Sequence, residues 1–245
     1  MLAAIGLSEC YRRQVLAHCS AALLSRGAAN RHTMPGDSCR KPTQFPHQGA
    51  RRSIRDPDVA NTRPAPIPNS YWLPGEQILA GEYPGAQDAR ASSARLELFL
   101  DAGITSFIDL TSPGELVPYE PLLRDLAARR GLDVHYQRLS IRDLGVPTRE
   151  HMHRILDLIE AEQAAGRTVY VHCWGGVGRT GTVVGCHLVR CGLDGKAALA
   201  QLAELWRTVE KCDWCPDSPE SDEQRAFVLD WPGRQKSRRR SCPTE

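Results

Sequence analysis

The sequence of 245 residues has no long apolar run. Its uninterrupted apolar stretches, such as residues 21–24, are far shorter than the ~20 residues a helix needs to cross a bilayer, which excludes a spanning helix. The first 34 residues carry arginines and few acids but lack the apolar stretch of roughly 7 to 15 residues that marks a secretory signal. For that stretch a transit peptide and an upstream extension with Met34 as initiator both stay open. A strong net charge is absent too, at only +2, and no nucleic-acid partner is expected. The nine cysteines lack disulfide-like spacing, which points to a reducing, intracellular and cytoplasmic setting. Cys212 and Cys215 are the one close pair; with no second CxxC or CxxH to complete a tetrahedral metal site they read as two loop cysteines. Internal repeats of useful length are also missing.

The small total charge hides a segregation. Residues 1–66 carry ten Lys/Arg against four Asp/Glu, residues 67–233 carry 16 against 24, and residues 234–245 carry five against one. An acidic body therefore stands between a basic N-terminal extension and a basic tail. Prolines crowd residues 35–68 with few large apolar residues, so 1–66 is expected to be mostly disordered, apart from a short amphipathic helix within 2–24, and 234–245 likewise. The basic tails suit acidic partners or membrane surfaces.

Within the body, apolar patterning predicts strands at 77–81, 104–110, 134–139 and 168–172. Helices are expected at 91–102, 121–130, 148–165, 178–191, 195–211 and 219–229, with Gly103, Gly131 and Gly166 as stops and Thr148 as a cap. Strands alternating with helices imply an α/β fold, a mostly parallel central sheet flanked by helices.

The informative stretch is His172-Cys173-Trp174-Gly175-Gly176-Val177-Gly178-Arg179-Thr180. A cysteine at the end of a buried strand is followed by glycines and then by Arg and Thr opening a helix. Glycines permit the positive φ values that turn successive amides toward one centre, and the helix N-terminus adds its dipole there. Such a cradle binds a tetrahedral oxyanion. The same field favours the thiolate, so Cys173 is expected to be a nucleophile at neutral pH, with the Thr180 hydroxyl in reach. Arg179 offers a planar fork to two oxygens of the anion, a geometry that Lys lacks.

His172-Cys173, five residues, then Arg179-Thr180 resembles the signature loop of cysteine-dependent protein phosphatases. The Cys-x-Gly-Gly-x-Gly-Arg form is similar to the dual-specificity phosphatases, particularly the type represented by the cyclin-dependent kinase-associated phosphatase, and the likeness runs over roughly residues 70–231. The resemblance implies a dual-specificity phosphatase-like fold, with 67–233 as the phosphatase domain. It also implies a phosphate loop of Trp174, Gly175, Gly176, Val177, Gly178 and Arg179 around the nucleophile Cys173, with Thr180 assisting. Asp143 lies 30 residues before the cysteine, where similar phosphatases carry their mobile general acid. Asp109, its competitor, ends a buried strand and reads as structural. Gln224, in Gln-x-x-Phe, matches the water-positioning residue of related tyrosine phosphatases, yet Ser221-x-x-Gln224 is equally a helix capping box. His172 is expected to orient the loop through hydrogen bonds. No metal or other cofactor is required, because Arg179 and backbone amides supply the charge stabilisation.

Loop residues 174–178 contain no Lys or Arg, unlike similar enzymes acting on highly phosphorylated inositol lipids, and the Asn-Arg-Tyr segment of tyrosine-specific relatives is missing. A phosphorylated protein substrate is therefore expected, with phosphotyrosine and phosphoserine or phosphothreonine admitted. Small phosphate esters, such as inositol phosphates or nucleotides, are the alternative, and a phosphate-binding adaptor without turnover is a third. Trp174 is read as facing the pocket mouth or packing beneath the sheet. Cys186 and Cys191 are read as helix packing residues, with a reversible disulfide to Cys173 as the other reading. His151 and His153 point to different sides of one helix and suggest no metal site.

Overall fold

The computed structural model describes residues 63–86 and 88–233. The N-terminal extension, the helix expected within residues 2–24 and the tail 234–245 lie outside the described residues.

Five strands form one sheet: β1 (Ser70–Trp72), β2 (Ile78–Gly81), β3 (Ser106–Asp109), β4 (His135–Arg138) and β5 (Val169–His172), in the order β1-β2-β5-β3-β4. The last four are mutually parallel, as their patterning predicts. β5 lies between β2 and β3, so each end of it sits at the middle of the sheet. β1 is an addition to the expected set. It pairs antiparallel with β2, and three residues are too few to show an alternation. β4 is an edge strand and only half buried, whereas β2, β3 and β5 are buried throughout.

Among the described residues six α-helices surround the sheet: α1 (Ala89–Asp101), α2 (Glu120–Arg129), α3 (Arg149–Ala164), α4 (Gly178–Arg190), α5 (Gly195–Trp206) and α6 (Asp222–Leu229). Alternation along the strands sends Leu79, Phe107 and Tyr170 to one face, where they meet Leu96 and Phe99 of α1 and Leu123 and Leu126 of α2. Phe99 and Tyr170 lie 4.4 Å apart between ring centroids. α4 follows β5 directly and is buried from Gly178 to Val189, with α3, α5 and α6 packed around it.

Asp88, Thr148, Asp194 and Ser221 cap α1, α3, α5 and α6 with side-chain oxygens that accept backbone N–H bonds, each cap contributing about 1 kcal/mol. Two helices end or begin differently from expectation. α5 stops at Trp206, and a 3-10 turn at Glu210–Asp213 replaces its predicted last turns. α6 starts at Asp222 because the Ser221 cap, not Pro219, sets its entry.

Candidate active site

Cys173 follows the last residue of β5 and is buried, with 3% of its surface exposed. The loop from Cys173 to Val177 is held by its carbonyls. The Cys173 oxygen accepts from His172 Nδ1 at 3.0 Å and the Trp174 oxygen from the Tyr83 amide at 2.9 Å. The Gly175 oxygen accepts from Lys211 Nζ at 2.9 Å, and the Val177 oxygen from Ser218 Oγ at 2.8 Å. In a trans peptide the carbonyl and the following N–H point in opposite directions. Tying these carbonyls outward therefore turns the amides of Trp174, Gly175, Gly176 and Gly178 inward, and α4 begins at the same point. Gly176 makes the turn at φ +76°, and a Cβ there would lie 2.6 Å from the Gly81 carbonyl carbon and 2.7 Å from the Glu82 nitrogen. No other residue fits so close to the backbone of β2.

His172 is fully buried. A carbonyl only accepts, so Nδ1 carries the proton that reaches Cys173; burial holds the ring's pKa below its usual value and keeps it neutral. Nε2 then accepts from the Tyr119 hydroxyl at 2.7 Å. His172 therefore links the first carbonyl of the loop to Tyr119.

Arg179, with a side chain 2% exposed, is gripped by Glu115 through Nη1 at 2.9 Å and Nη2 at 2.6 Å. Nη2 also meets Asp143 at 2.9 Å, and Nη1 donates to the Ile141 carbonyl at 3.3 Å. Burial disfavours its charge, but the bond to Glu115 and the nearby Cys173 and Asp143 outweigh that and push its pKa above the usual value. Cys173, Arg179 and Asp143 are thus brought into one site. Leu144, next to Asp143, stands at φ +59°, a left-handed conformation uncommon for a residue with a Cβ.

The Thr180 hydroxyl, expected in reach of the thiol, donates to the Gly81 carbonyl at 3.4 Å and so ties α4 to β2. Trp174 is partly exposed. Gln224 is buried, and its capping box with Ser221 is formed. Its Nε2 also donates to the Gly145 carbonyl at 3.2 Å, joining the start of α6 to the loop that carries Asp143. Asp109 accepts from the Thr111 amide and hydroxyl, the Tyr136 hydroxyl and Arg138, an arrangement that fixes the C-terminal ends of β3 and β4.

Sequence reasoning missed Glu115, Lys211, Tyr119, Ser218 and Glu82. Glu82 accepts from Lys211 at 2.8 Å and Arg95 at 2.9 Å, which holds in place the lysine that reaches Gly175. Glu115 follows β3 at the C-terminal end of the sheet, where ligand-binding loops of parallel sheets gather, and that position was its one available signal.

Cys186 and Cys191, on the helix after the loop, sit away from this cluster. α4 advances about 1.5 Å per residue, so Cys186 and Cys191 lie about 12 and 20 Å beyond its first residue, too far for a disulfide with Cys173. Among the described residues Cys173, Cys186, Cys191 and Cys212 are free, so Cys212 is not joined to Cys215. His151 meets the Ser140 carbonyl while His153 packs on Trp231.

Cysteine phosphatases of the dual-specificity kind combine a central parallel strand ending in cysteine with a glycine loop and an arginine on the following helix. Residues 71–228 match the family described as "Swiss Army Knife protein, DSP-PTPase phosphatase domain", and the chain belongs to that family. Two uncharacterized proteins of Methanocaldococcus jannaschii are 37% identical over 93 residues and 36% identical over 94, each match covering 38% of this chain. The matched regions make up 56% and 52% of those relatives, so the chain spans about half their length. Among solved structures it is similar to kinase associated phosphatase carrying a serine at its catalytic cysteine (21% identity, 62% of this chain, 83% of that chain, TM-score 0.49). It is also similar to Tk-PTP in the active form (23%, 66%, 94%, 0.47) and to PTPMT1 in complex with PI(5)P (21%, 63%, 88%, 0.47). Among the described residues no helix is long and apolar enough to cross a membrane.

Proposed function

We propose that residues 67–233 form a phosphoprotein phosphatase domain that hydrolyses phosphotyrosine, phosphoserine and phosphothreonine monoesters through a cysteinyl-phosphate. The observation that carries this reading is the thiol of Cys173 beside a loop in which the carbonyls of Cys173, Trp174, Gly175 and Val177 are tied outward, with the buried fork of Arg179 on its rim. Inward amides and Arg179 hold three phosphate oxygens and gain strength as charge shifts onto them in the transition state. Cys173 Sγ attacks phosphorus in line, the bond from phosphorus to the ester oxygen breaks, and Asp143 gives its proton to the departing oxygen. In the second step water attacks phosphorus and gives its proton to Asp143; the sulfur–phosphorus bond breaks, and thiolate and phosphate result. Gln224, joined to the Asp143 loop, positions that water as well as capping α6.

Asp143 and Arg179 form an ion pair at 2.9 Å. An arriving phosphate dianion competes with Asp143 for Arg179. Loop residues 174–178 offer no second cation for a polyphosphorylated ligand, which supports phosphoprotein over inositol phosphate. The basic extensions are assigned to acidic partners.

Purified chain assayed on para-nitrophenyl phosphate and then on phosphopeptides, inositol phosphates and nucleotides tests both parts. Turnover with the highest kcat/KM on phosphopeptides is expected. Higher kcat/KM on a small ester would overturn the substrate class, and phosphate binding without any turnover would overturn the enzyme.

A further inference from the structure

At the far end of α4 from the phosphate loop, three side chains of different chemistry converge. His187 and Cys191 are four residues apart, which puts them on one face of the last turn of α4. Glu76 reaches them from the turn between β1 and β2, which Gly75 opens at φ +72°. His187 Nε2 lies 2.7 Å from Glu76 Oε2 and 3.5 Å from Cys191 Sγ, and Cys191 Sγ lies 3.9 Å from Glu76 Oε1.

Two arrangements of Cys, His and carboxylate can be told apart by which ring nitrogen each group meets. In a nucleophilic triad the imidazole bridges, with the thiol on one nitrogen and the carboxylate on the other. Here both groups meet Nε2, while Nδ1 is buried and has no hydrogen-bond partner. Convergence on a single nitrogen does not make a proton relay. It does make three corners of a tetrahedron. Metal distances of about 2.0 Å to nitrogen, 2.1 Å to oxygen and 2.3 Å to sulfur require edges of about 3.5 Å for N to S, 3.6 Å for S to O and 3.4 Å for N to O. The observed N to S and S to Oε1 separations are within about 0.3 Å of those values; the 2.7 Å contact of His187 is to the other carboxylate oxygen, Oε2, so Glu76 must turn to offer one oxygen to both edges, the three donors lying within 4.8 Å of one another. Glu76 lies on a turn and its side chain is 24% exposed, so it has room to make that movement.

We propose that Glu76, His187 and Cys191 form a binding site for a divalent transition-metal ion of the zinc class. A thiolate and an imidazole select such an ion over magnesium or calcium, which prefer oxygen. The ion replaces the proton of the His187 to Glu76 hydrogen bond and the thiol proton of Cys191. Cys191 is exposed, so the fourth position opens to water. Arg190, the neighbouring cation, is committed to Asp157 at 2.6 Å and Glu160 at 3.8 Å and leaves the site to its three donors. The ion clips the turn before β2 to the end of α4, the helix whose other end forms the phosphate cradle. The site stands independently of the proposed catalysis.

The test uses the full chain, reduced, in a Cys173→Ser background so that the thiol of the phosphate loop does not compete, with cobalt(II) as an optical probe. One equivalent of cobalt is expected to give a thiolate-to-cobalt charge-transfer band and tetrahedral d–d bands, and zinc is expected to displace them. Adding Cys191→Ser should abolish the charge-transfer band, and Glu76→Gln should weaken binding at least tenfold, with circular dichroism showing that both variants fold. Cys212→Ser should leave the band in place. A band that survives Cys191→Ser, or no stoichiometric binding at micromolar cobalt, would overturn the site.

Discussion

Replacing Glu115 by glutamine separates two opposite roles that a carboxylate on Arg179 can play. As a positioning residue it fixes the guanidinium plane; as a competitor it occupies donors that phosphate needs. The structure favours the first, because Glu115 takes both Nη1 and Nη2 of a side chain only 2% exposed and also accepts from the Ser112 amide at 2.8 Å. Glutamine retains one acceptor oxygen, so one of the two bonds to Arg179 is lost and the other becomes uncharged at the acceptor. A hydrogen bond to a charged group is worth about 1.5–3 kcal/mol, and a loss of about 2 kcal/mol follows. If that loss is expressed in the transition state, kcat/KM falls about 30-fold, at about 1.4 kcal/mol per factor of ten. Most of the fall should be in kcat, since Arg179 keeps its charge and still attracts the ground-state dianion. The assay is steady-state hydrolysis of para-nitrophenyl phosphate, with the thermal midpoint measured alongside. A kcat/KM that rises, or stays within twofold of the wild-type value, would refute positioning and make Glu115 a competitor.

Three further variants test the support of the loop. Lys211→Met breaks the buried pair with Glu82 and should cost about 3 kcal/mol in thermal or urea unfolding while slowing turnover through Gly175. Burial opposes ionisation of Glu82, but Lys211 and Arg95 overcome it and hold the carboxyl below its ordinary value of 4.5. That contribution to stability is complete above the ordinary value and is lost as pH falls through the lowered one, so Lys211→Met should move acid unfolding to higher pH; an unmoved acid transition would contradict the pairing. Tyr119→Phe leaves His172 Nε2 buried without its donor and should destabilise by about 1–3 kcal/mol, whereas an unchanged thermal midpoint would exclude that hydrogen bond. Gly176→Ala combines about 1–2 kcal/mol of left-handed strain with backbone overlap at Gly81 and Glu82, and should lower kcat more than 100-fold; wild-type kinetics would show that the loop needs no close approach there.

Local pattern explains what was legible. Cys173, Arg179 and the glycines between them lie in one strand-loop-helix unit, so spacing alone places them together. Thr148 and the glycines that end α1, α2 and α3 are local signals too. β1 escaped notice because three residues carry no period, and the end of α5 because nothing between Trp206 and Lys211 is a strong breaker. Glu115, Lys211 and Tyr119 were hidden for a different reason. Each acts on the loop across more than 30 residues of sequence, and a charged or aromatic residue in a connection looks the same whether it faces solvent or a buried arginine. Thr180 shows the converse: its place in the motif is local, but the acceptor of its hydroxyl, Gly81, belongs to another strand. The acidic character of residues 67–233 also gains meaning, since a dianion must be drawn by the cradle and Arg179 and not by the field of the whole domain.

The most direct test of the mechanism is to quench the chain in acid during turnover of a phosphorus-labelled substrate and to map the label by peptide mass spectrometry. Labelled phosphate on Cys173, formed at a rate no slower than kcat and absent from Cys173→Ser, is the result that a cysteinyl-phosphate requires. Turnover by Cys173→Ser at a comparable rate, or steady turnover with no label on Cys173, would contradict it.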